Sequence, residues 1–437
     1  MKKFISLFLI LCCAVSLFGC DALEKIGEVE LPPVPTPAAM EESAEPASEA
    51  EVRTETEHQH IIINFDKTEQ QAYDPQQGSQ LILSFSYETP YVHIPANTNA
   101  EENINEYIAM LNESFYTGDT YGVVYDSECA PGYINMLTMA EDNYNYIINS
   151  ALNLDSGWAN FELANHRSVN LPRCDDRVLS LRYYDYINLG GVHGGYAYRG
   201  YNFNTASGEL LTLESLSDDS ESLKAFLKSY LLEQVNESAQ LQERMMGVLD
   251  VEGMPTKEEA LSALVREGSW YMDDNGMIIV SDLYELGPYA AGIFEFNIPY
   301  SELAAYIKPE YIPDAVTESG SFSLATADAG AEISKEIIDM LRIDEDGQSI
   351  YLAAEGTVRN VRLARVDYTD RFYETETLWQ CSIMCDCALQ LVTNVPEGMP
   401  ELKISYSDAG GEHVFYLSQS GIDGSFILVD DSIEAVG

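Results

Sequence analysis

The chain has 437 residues, with 23 Lys+Arg against 72 Asp+Glu and a formal net charge of −49. A surface this acidic repels phosphate backbones and anionic bilayers and attracts cations, which sets nucleic-acid binding aside. Apolar residues make up 46% of the chain and aromatics 11%, the composition of a folding chain, and the length suits two or three domains.

Lys2 and Lys3 precede an apolar run from Phe4 to Phe18. That run is too short for a permanent membrane span and has the order of a secretory signal. Leu17-Phe18-Gly19-Cys20 resembles the bacterial lipobox. The resemblance implies cleavage before Cys20, a diacylglycerol on its thiol, and a protein anchored to the cell membrane on its extracytoplasmic face. Residues 21–60 interleave Pro32, Pro33, Pro35, Pro37 and Pro46 with Ala and Glu, which reads as an extended, self-repelling tether. At about 3 Å per residue such a tether reaches roughly 100 Å. His58 and His60 at its end fall short of a metal-ligand set.

From Ile61 the pattern turns globular. Alternation predicts a strand over 80–87, 3.6-residue periodicity a helix over 99–115, and Tyr144, Ile147, Ile148 and Ala151 a second helix over 140–152. Strands are expected over 158–163, 178–187 and from Tyr196 to Phe203. The last follows Gly190-Gly-Val-His-Gly-Gly195, a glycine-rich stretch around His193. Asn204 to Gly208 makes a turn, and Leu211 and Leu213 begin another strand. An amphipathic helix is predicted over 222–235. Thr256 and Glu259 form a capping box for a helix that Gly268 ends. A hairpin over 270–280 turns on Asp274-Asn275-Gly276, a strand covers 293–298, and Ser301 caps a helix running to Ile307. Strands and helices mixed outside strict βαβ order give an α+β fold: mixed two-layer domains with largely antiparallel sheets.

Gly190-Gly-Val-His-Gly-Gly195, Tyr201-Asn-Phe-Asn204, Asp274-Asn-Gly-Met-Ile-Ile279, Tyr284-Glu-Leu-Gly-Pro-Tyr289 and Ile298-Pro-Tyr-Ser-Glu-Leu303 together resemble a paired-domain family. It occurs in the extracellular region of the lysozyme-sensing anti-sigma factor and in the N-terminal region of PdaC-type peptidoglycan deacetylases. The resemblance spans roughly residues 80–310. It implies a PdaC-like α+β domain over 61–200 and an anti-sigma-factor-extracellular-like domain over 201–312. The sigma-binding segment and the His-x-x-x-His metal pair of a deacetylase are missing, so neither sigma-factor control nor deacetylation carries over.

Past a Ser/Gly/Ala-rich stretch, a short helix is expected through Ile333, Ile337 and Leu341. A small β-rich C-terminal domain over 319–437 follows, with turns at Asp346-Gly347, Asp408 to Gly411 and Asp423-Gly424. Alternation places Cys381, Ile383, Cys385, Cys387 and Leu389 on one strand face and Ser382, Met384, Asp386 and Ala388 on the other. Core packing is the leading reading of these cysteines, with a disulfide to another strand or a metal site as alternatives. Cys129 and Cys174 are disulfide candidates outside the membrane.

Tyr183, Tyr184, Tyr186, Tyr196, Tyr198 and Tyr201 can offer a stacking platform for sugar rings, though alternation brings only some of them to one face. His193, flanked by glycines, is a candidate ligand contact or acid/base, against the reading of a turn the fold requires. Asp273 to Gly276 and Asp344 to Gly347 lack the twelve-residue calcium-loop spacing and read as turns. No hydrolase, zinc-protease, phosphate-loop or dinucleotide signature is found, so no cofactor is expected and the balance leans away from an enzyme. Three functions follow. The first is a non-catalytic lipid-anchored envelope protein binding lysozyme or another cationic protein. The second is a peptidoglycan or glycan binder using Tyr184, Tyr186, Tyr196 and Tyr198. The third is a wall-glycan-modifying enzyme centred on His193.

Overall fold

Period-two patterning outweighs helical patterning from Ile62 onward, and strands accordingly build most of the molecule. The computed structural model describes residues 60–76, 78–118, 131–149, 162–191, 193–245, 255–326, 334–369, 371–394, 400–420, 422 and 424–430. Cys20, residues 21–59 of the tether with His58, and Cys129 lie outside these residues, as does most of the strand expected over 158–163. The fold is α+β, with a large, mostly antiparallel sheet and a small second sheet.

The first segment contributes β1 (Ile62–Tyr73), β2 (Leu81–His93), α1 (Thr98–Thr117), α2 (Tyr133–Asn149), β3 (Leu163–Cys174), β4 (Val178–Asn188), β5 (Gly195–Asn204) and the short β6 (Leu210–Leu211). Asn97 caps α1 by accepting from the Ala100 amide, and Gly118 at φ 77° closes it. Ile104, Ile108 and Leu111 form the stripe that α1 lays on the odd-numbered residues Val169, Leu181, Tyr183, Tyr201 and Phe203 of β3, β4 and β5. Met136, Ala140 and Tyr144 of α2 cover Leu83 and Phe85. Helix α2 begins seven residues before the expected start, and β3 runs on from Leu163 well past the predicted strand.

The middle segment holds α3 (Ser220–Glu237), α4 (Ala239–Met245), α5 (Lys257–Ala263), β7 (Trp270–Met272), β8 (Gly276–Val280), β9 (Glu295–Pro299) and α6 (Tyr300–Leu303). Both halves of the Thr256–Glu259 capping box are formed, though α5 stops at Ala263, short of Gly268. Leu223, Leu227, Leu231 and Val235 of α3 pack on the antiparallel sheet β7-β8-β9. Pro299, not Ser301, precedes the last helix, which is one turn long and ends well before Ile307. Ile307 and Tyr311 still reach the core.

The C-terminal segment is β-rich: β10 (Gly320–Thr326), β11 (Glu336–Arg342), β12 (Gln348–Tyr368), β13 (Phe372–Cys385), β14 (Cys387–Thr393), β15 (Leu402–Asp408), β16 (Gly411–Gln419) and β17 (Phe426–Asp430). The helix expected through Ile337 and Leu341 is instead strand β11, paired in parallel with β14. Its apolar i, i+4 spacing imitates a helix, but the partner strand some fifty positions away decides its conformation. The large sheet runs β17-β16-β15-β12-β13-β1-β2-β3-β4-β5-β6, so the Ile62 pairing with Cys381 joins its N- and C-terminal parts.

Asp386 interrupts the expected cysteine alternation. It sits at φ 47°, its carboxylate accepts from the Gly356 amide, and its own amide donates to the Gly356 carbonyl. This left-handed residue separates β13 from β14 and resets which side chains face inward. Met384 shares the core of Cys381 against the expected alternation, Cys385 is exposed, and beyond Asp386 Cys387 and Leu389 return to that same core. Cys381, Cys387 and Cys174 are buried free thiols that burial pushes up, so they pack as small apolar groups.

Candidate ligand-binding face

Helices cover the odd-numbered face of β3–β5. The even-numbered face carries the tyrosines. Tyr184 lies directly opposite Tyr198, and Tyr186 opposite Tyr196. Tyr184 is 5.5 Å from the Tyr198 ring and 5.9 Å from the Tyr196 ring, centroid to centroid. All four side chains are half-buried, with part of each ring accessible. Tyr183 and Tyr201, in contrast, are sealed in the α1 core.

His193 sits on an exposed loop at the edge of this array. Its ring stacks on Tyr289 at 3.7 Å, and its Nε2 lies 3.2 Å from the Tyr284 hydroxyl. Nδ1 lies 3.2 Å from the Gly194 carbonyl, which can only accept. Nδ1 therefore carries the proton and Nε2 accepts from Tyr284. With both nitrogens engaged, His193 acts here as an aromatic bracket that joins the glycine loop to the Tyr284–Tyr289 segment. Gly194 is needed for close approach: a Cβ there would lie 2.6 Å from the Tyr186 ring. Gly190, at φ 80°, supplies the turn.

Below the tyrosines the uncovered face deepens into a groove. One part, of about 580 Å³, is lined by Glu88, Asn170, Arg182, Tyr271, Arg362 and Glu374, among others. A second part, of about 320 Å³, is lined by residues including Lys67, Glu69, Ser86, His166 and Tyr184. Glu88, Ser168 and Thr375 border both parts, so the two form one trough. Its floor is the even-numbered face of β3 and β4. One wall is the small sheet at Tyr271 and the other the β12–β13 hairpin.

Most charges in the trough are already committed. Glu374 bridges Arg362 at 2.6 Å and Lys403 at 2.9 Å, and Glu376 faces Arg365 at 3.4 Å. Asp273 accepts from the Asn275 and Gly276 amides, each at 2.8 Å, which is the turn read from the sequence. Glu88 accepts from the Val169 amide at 2.8 Å, and burial pushes its carboxyl up. Ser86 Oγ and His166 Nδ1 lie 2.8 Å apart across β2 and β3, and burial holds His166 below its ordinary value. A groove of hydroxyls, amides and fixed carboxylates beside partly open aromatic rings can hydrogen-bond and stack a polyhydroxylated ligand.

The sequence singled out the four tyrosines and His193, and the fold brings them to one side of the sheet. It did not single out Glu88, His166, Arg182, Tyr271 or the hairpin wall, whose meeting depends on pairings between distant strands. His60 is used locally, its Nδ1 lying 2.7 Å from the Ile383 carbonyl. Among the described residues no group of three or more His, Cys, Asp or Glu could hold a metal ion, and no helix is long and apolar enough to cross a membrane.

Residues 215–301 match the family model described as "Protein of unknown function (DUF3298)", so a DUF3298 domain occupies the middle segment. It contributes Tyr271, Tyr284 and Tyr289 to the site. A DUF3298 family member from Bacteroides fragilis is similar at 16% identity with a TM-score of 0.40, over 57% of this chain and 94% of the other. A second, from Pseudomonas aeruginosa, is similar at 13% identity with a TM-score of 0.33, over 58% and 98%. No curated protein matches the chain.

Proposed function

We propose that the protein is a non-catalytic binding protein of the bacterial cell envelope, tethered by a lipid on Cys20, that holds a glycan such as peptidoglycan on the uncovered face of its sheet. The observation that supports this reading most is the pairing of Tyr184 with Tyr198 and Tyr186 with Tyr196, half-exposed above a polar trough. Tyrosines so placed present flat apolar faces to sugar rings, while the trough supplies hydrogen-bonding groups for the hydroxyls. The resemblance to the paired domains of PdaC-type deacetylases and the lysozyme-sensing anti-sigma factor points to the same compartment.

A second reading takes the ligand as lysozyme or another cationic protein, favoured by the net charge of −49. Salt separates the two, because long-range attraction is screened and stacking is not. In calorimetric titrations of the full chain in detergent, the glycan reading predicts that a soluble peptidoglycan fragment still binds at high salt, where long-range attraction is screened. Tyr184→Ala should then weaken it about fivefold or more. Lysozyme binding that fades with salt, with no glycan binding, would transfer the function to the second reading.

A further inference from the structure

Arg182 stands apart from the other guanidinium groups around it. Arg167 is held by Asp185, Arg173 by Asp175, Arg199 by Asp282 and Arg362 by Glu374. Arg182 has no carboxylate partner among the described residues, in a chain where acids outnumber bases 72 to 23. It lines the larger part of the trough. Its guanidinium is fixed in place: the carbon lies 5.0 Å from the Tyr198 ring centroid and 5.4 Å from that of Tyr271. Nη1 donates to the Tyr271 hydroxyl at 3.2 Å, and that hydroxyl donates to Glu295 at 3.1 Å.

The rest of the fork is unused. Nε is buried with no hydrogen-bond partner among the described residues, and Nη2 has none while remaining unsealed. A guanidinium pinned between two aromatic faces is preorganised, because its rotamer entropy has been spent on packing and not on an ion pair. Of the carboxylates lining this part of the trough, Glu374 is held by two cations, Glu376 by Arg365 and Asp273 by its own turn, while Glu88 accepts from the Val169 amide.

We propose that Arg182 is an anion subsite and that the ligand carries a carboxylate there, so the glycan of the preceding section is an acidic one. This inference rests on that reading for the class of ligand, but not for the chemistry of the subsite. A carboxylate on a fixed guanidinium forms charge-assisted hydrogen bonds that a neutral hydroxyl cannot match.

The test uses the full chain in detergent with isotope-labelled arginine. The Nε–H resonance absent from the Arg182→Gln spectrum is followed during addition of glucuronate or glucose. Glucuronate should shift it and glucose should not. In titrations, the preference for an acidic peptidoglycan fragment over its amidated form should fall about tenfold or more in Arg182→Gln. Arg182→Lys, which keeps the charge and loses the planar fork, should recover part of that preference. An unshifted resonance together with an unchanged preference overturns the subsite, and glycan binding by Tyr184 then stands without it. A shift with glucuronate in a protein that binds no oligosaccharide keeps the subsite and removes the glycan reading.

Discussion

Glu88 shows how a single residue is held at odds with its ordinary chemistry. Burial in the trough pushes its carboxyl up, while the Val169 amide only partly offsets that cost. The folded chain therefore binds this proton more tightly than the unfolded chain, whose carboxyl titrates near ~4.3. Keeping Glu88 ionised costs stability at neutral pH, and the cost disappears as pH falls below the unfolded value. Glu88→Gln retains an acceptor for Val169 and removes the charge. In urea denaturation it should be more stable than the parent at pH 7, with the advantage shrinking to nothing near pH 4. A constant difference across that range would contradict the assignment. Arg167 is the converse case: burial works against its charge, and the bidentate Asp185 carboxylate at 2.7 Å more than offsets this.

At the scale of elements, the site exists because β7 crosses β5 at a residue with no side chain. A Cβ on Gly200 would fall 1.8 Å from the Trp270 carbonyl oxygen, and the Gly200 amide donates to Gly268 at 2.9 Å. Gly200→Ala must push the small sheet away from the large one and should cost at least roughly 2 kcal/mol in urea denaturation. Gly195→Ala, whose Cβ would meet only Ile187 at 3.6 Å, is the control and should leave stability unchanged or slightly raised. Equal stability in the two variants would mean that the crossing is not rigid. Arg173 reinforces the same junction, reaching the Tyr300 hydroxyl and the Tyr311 carbonyl, both at 2.6 Å.

Elements of this kind were unevenly legible in the sequence. Period-two alternation identified β4 and β5 and divided Tyr183 and Tyr201 from the other four tyrosines, because side-chain direction in a strand is a local property. The Thr256–Glu259 box was readable for the same reason. Strand β11 was not: its spacing suits a helix, and only pairing with β14 overrides it. The cysteine pattern failed just before the left-handed Asp386: Met384 takes the inward place and Cys385 is exposed, while Cys387 and Leu389 beyond it return to the core that holds Cys381. The trough was invisible for a related reason. Glu88, Arg182, Tyr271 and Arg362 come together through sheet order, which composition and spacing do not encode.

For the molecule as a whole, the large sheet has two unlike faces over β3–β5. One is closed by α1, and the other is open, polar and aromatic. The net charge of −49 provides a long-range field, and under the proposed function the local chemistry of the open face is what selects the ligand. The most direct test is hydrogen–deuterium exchange of the full chain with and without a soluble peptidoglycan fragment, at physiological salt. The account predicts added protection in residues 166–172, 182–186, 195–198 and 372–377, with α1 unchanged. Protection confined to α1 and α2, or absent everywhere while the fragment is bound, would contradict it.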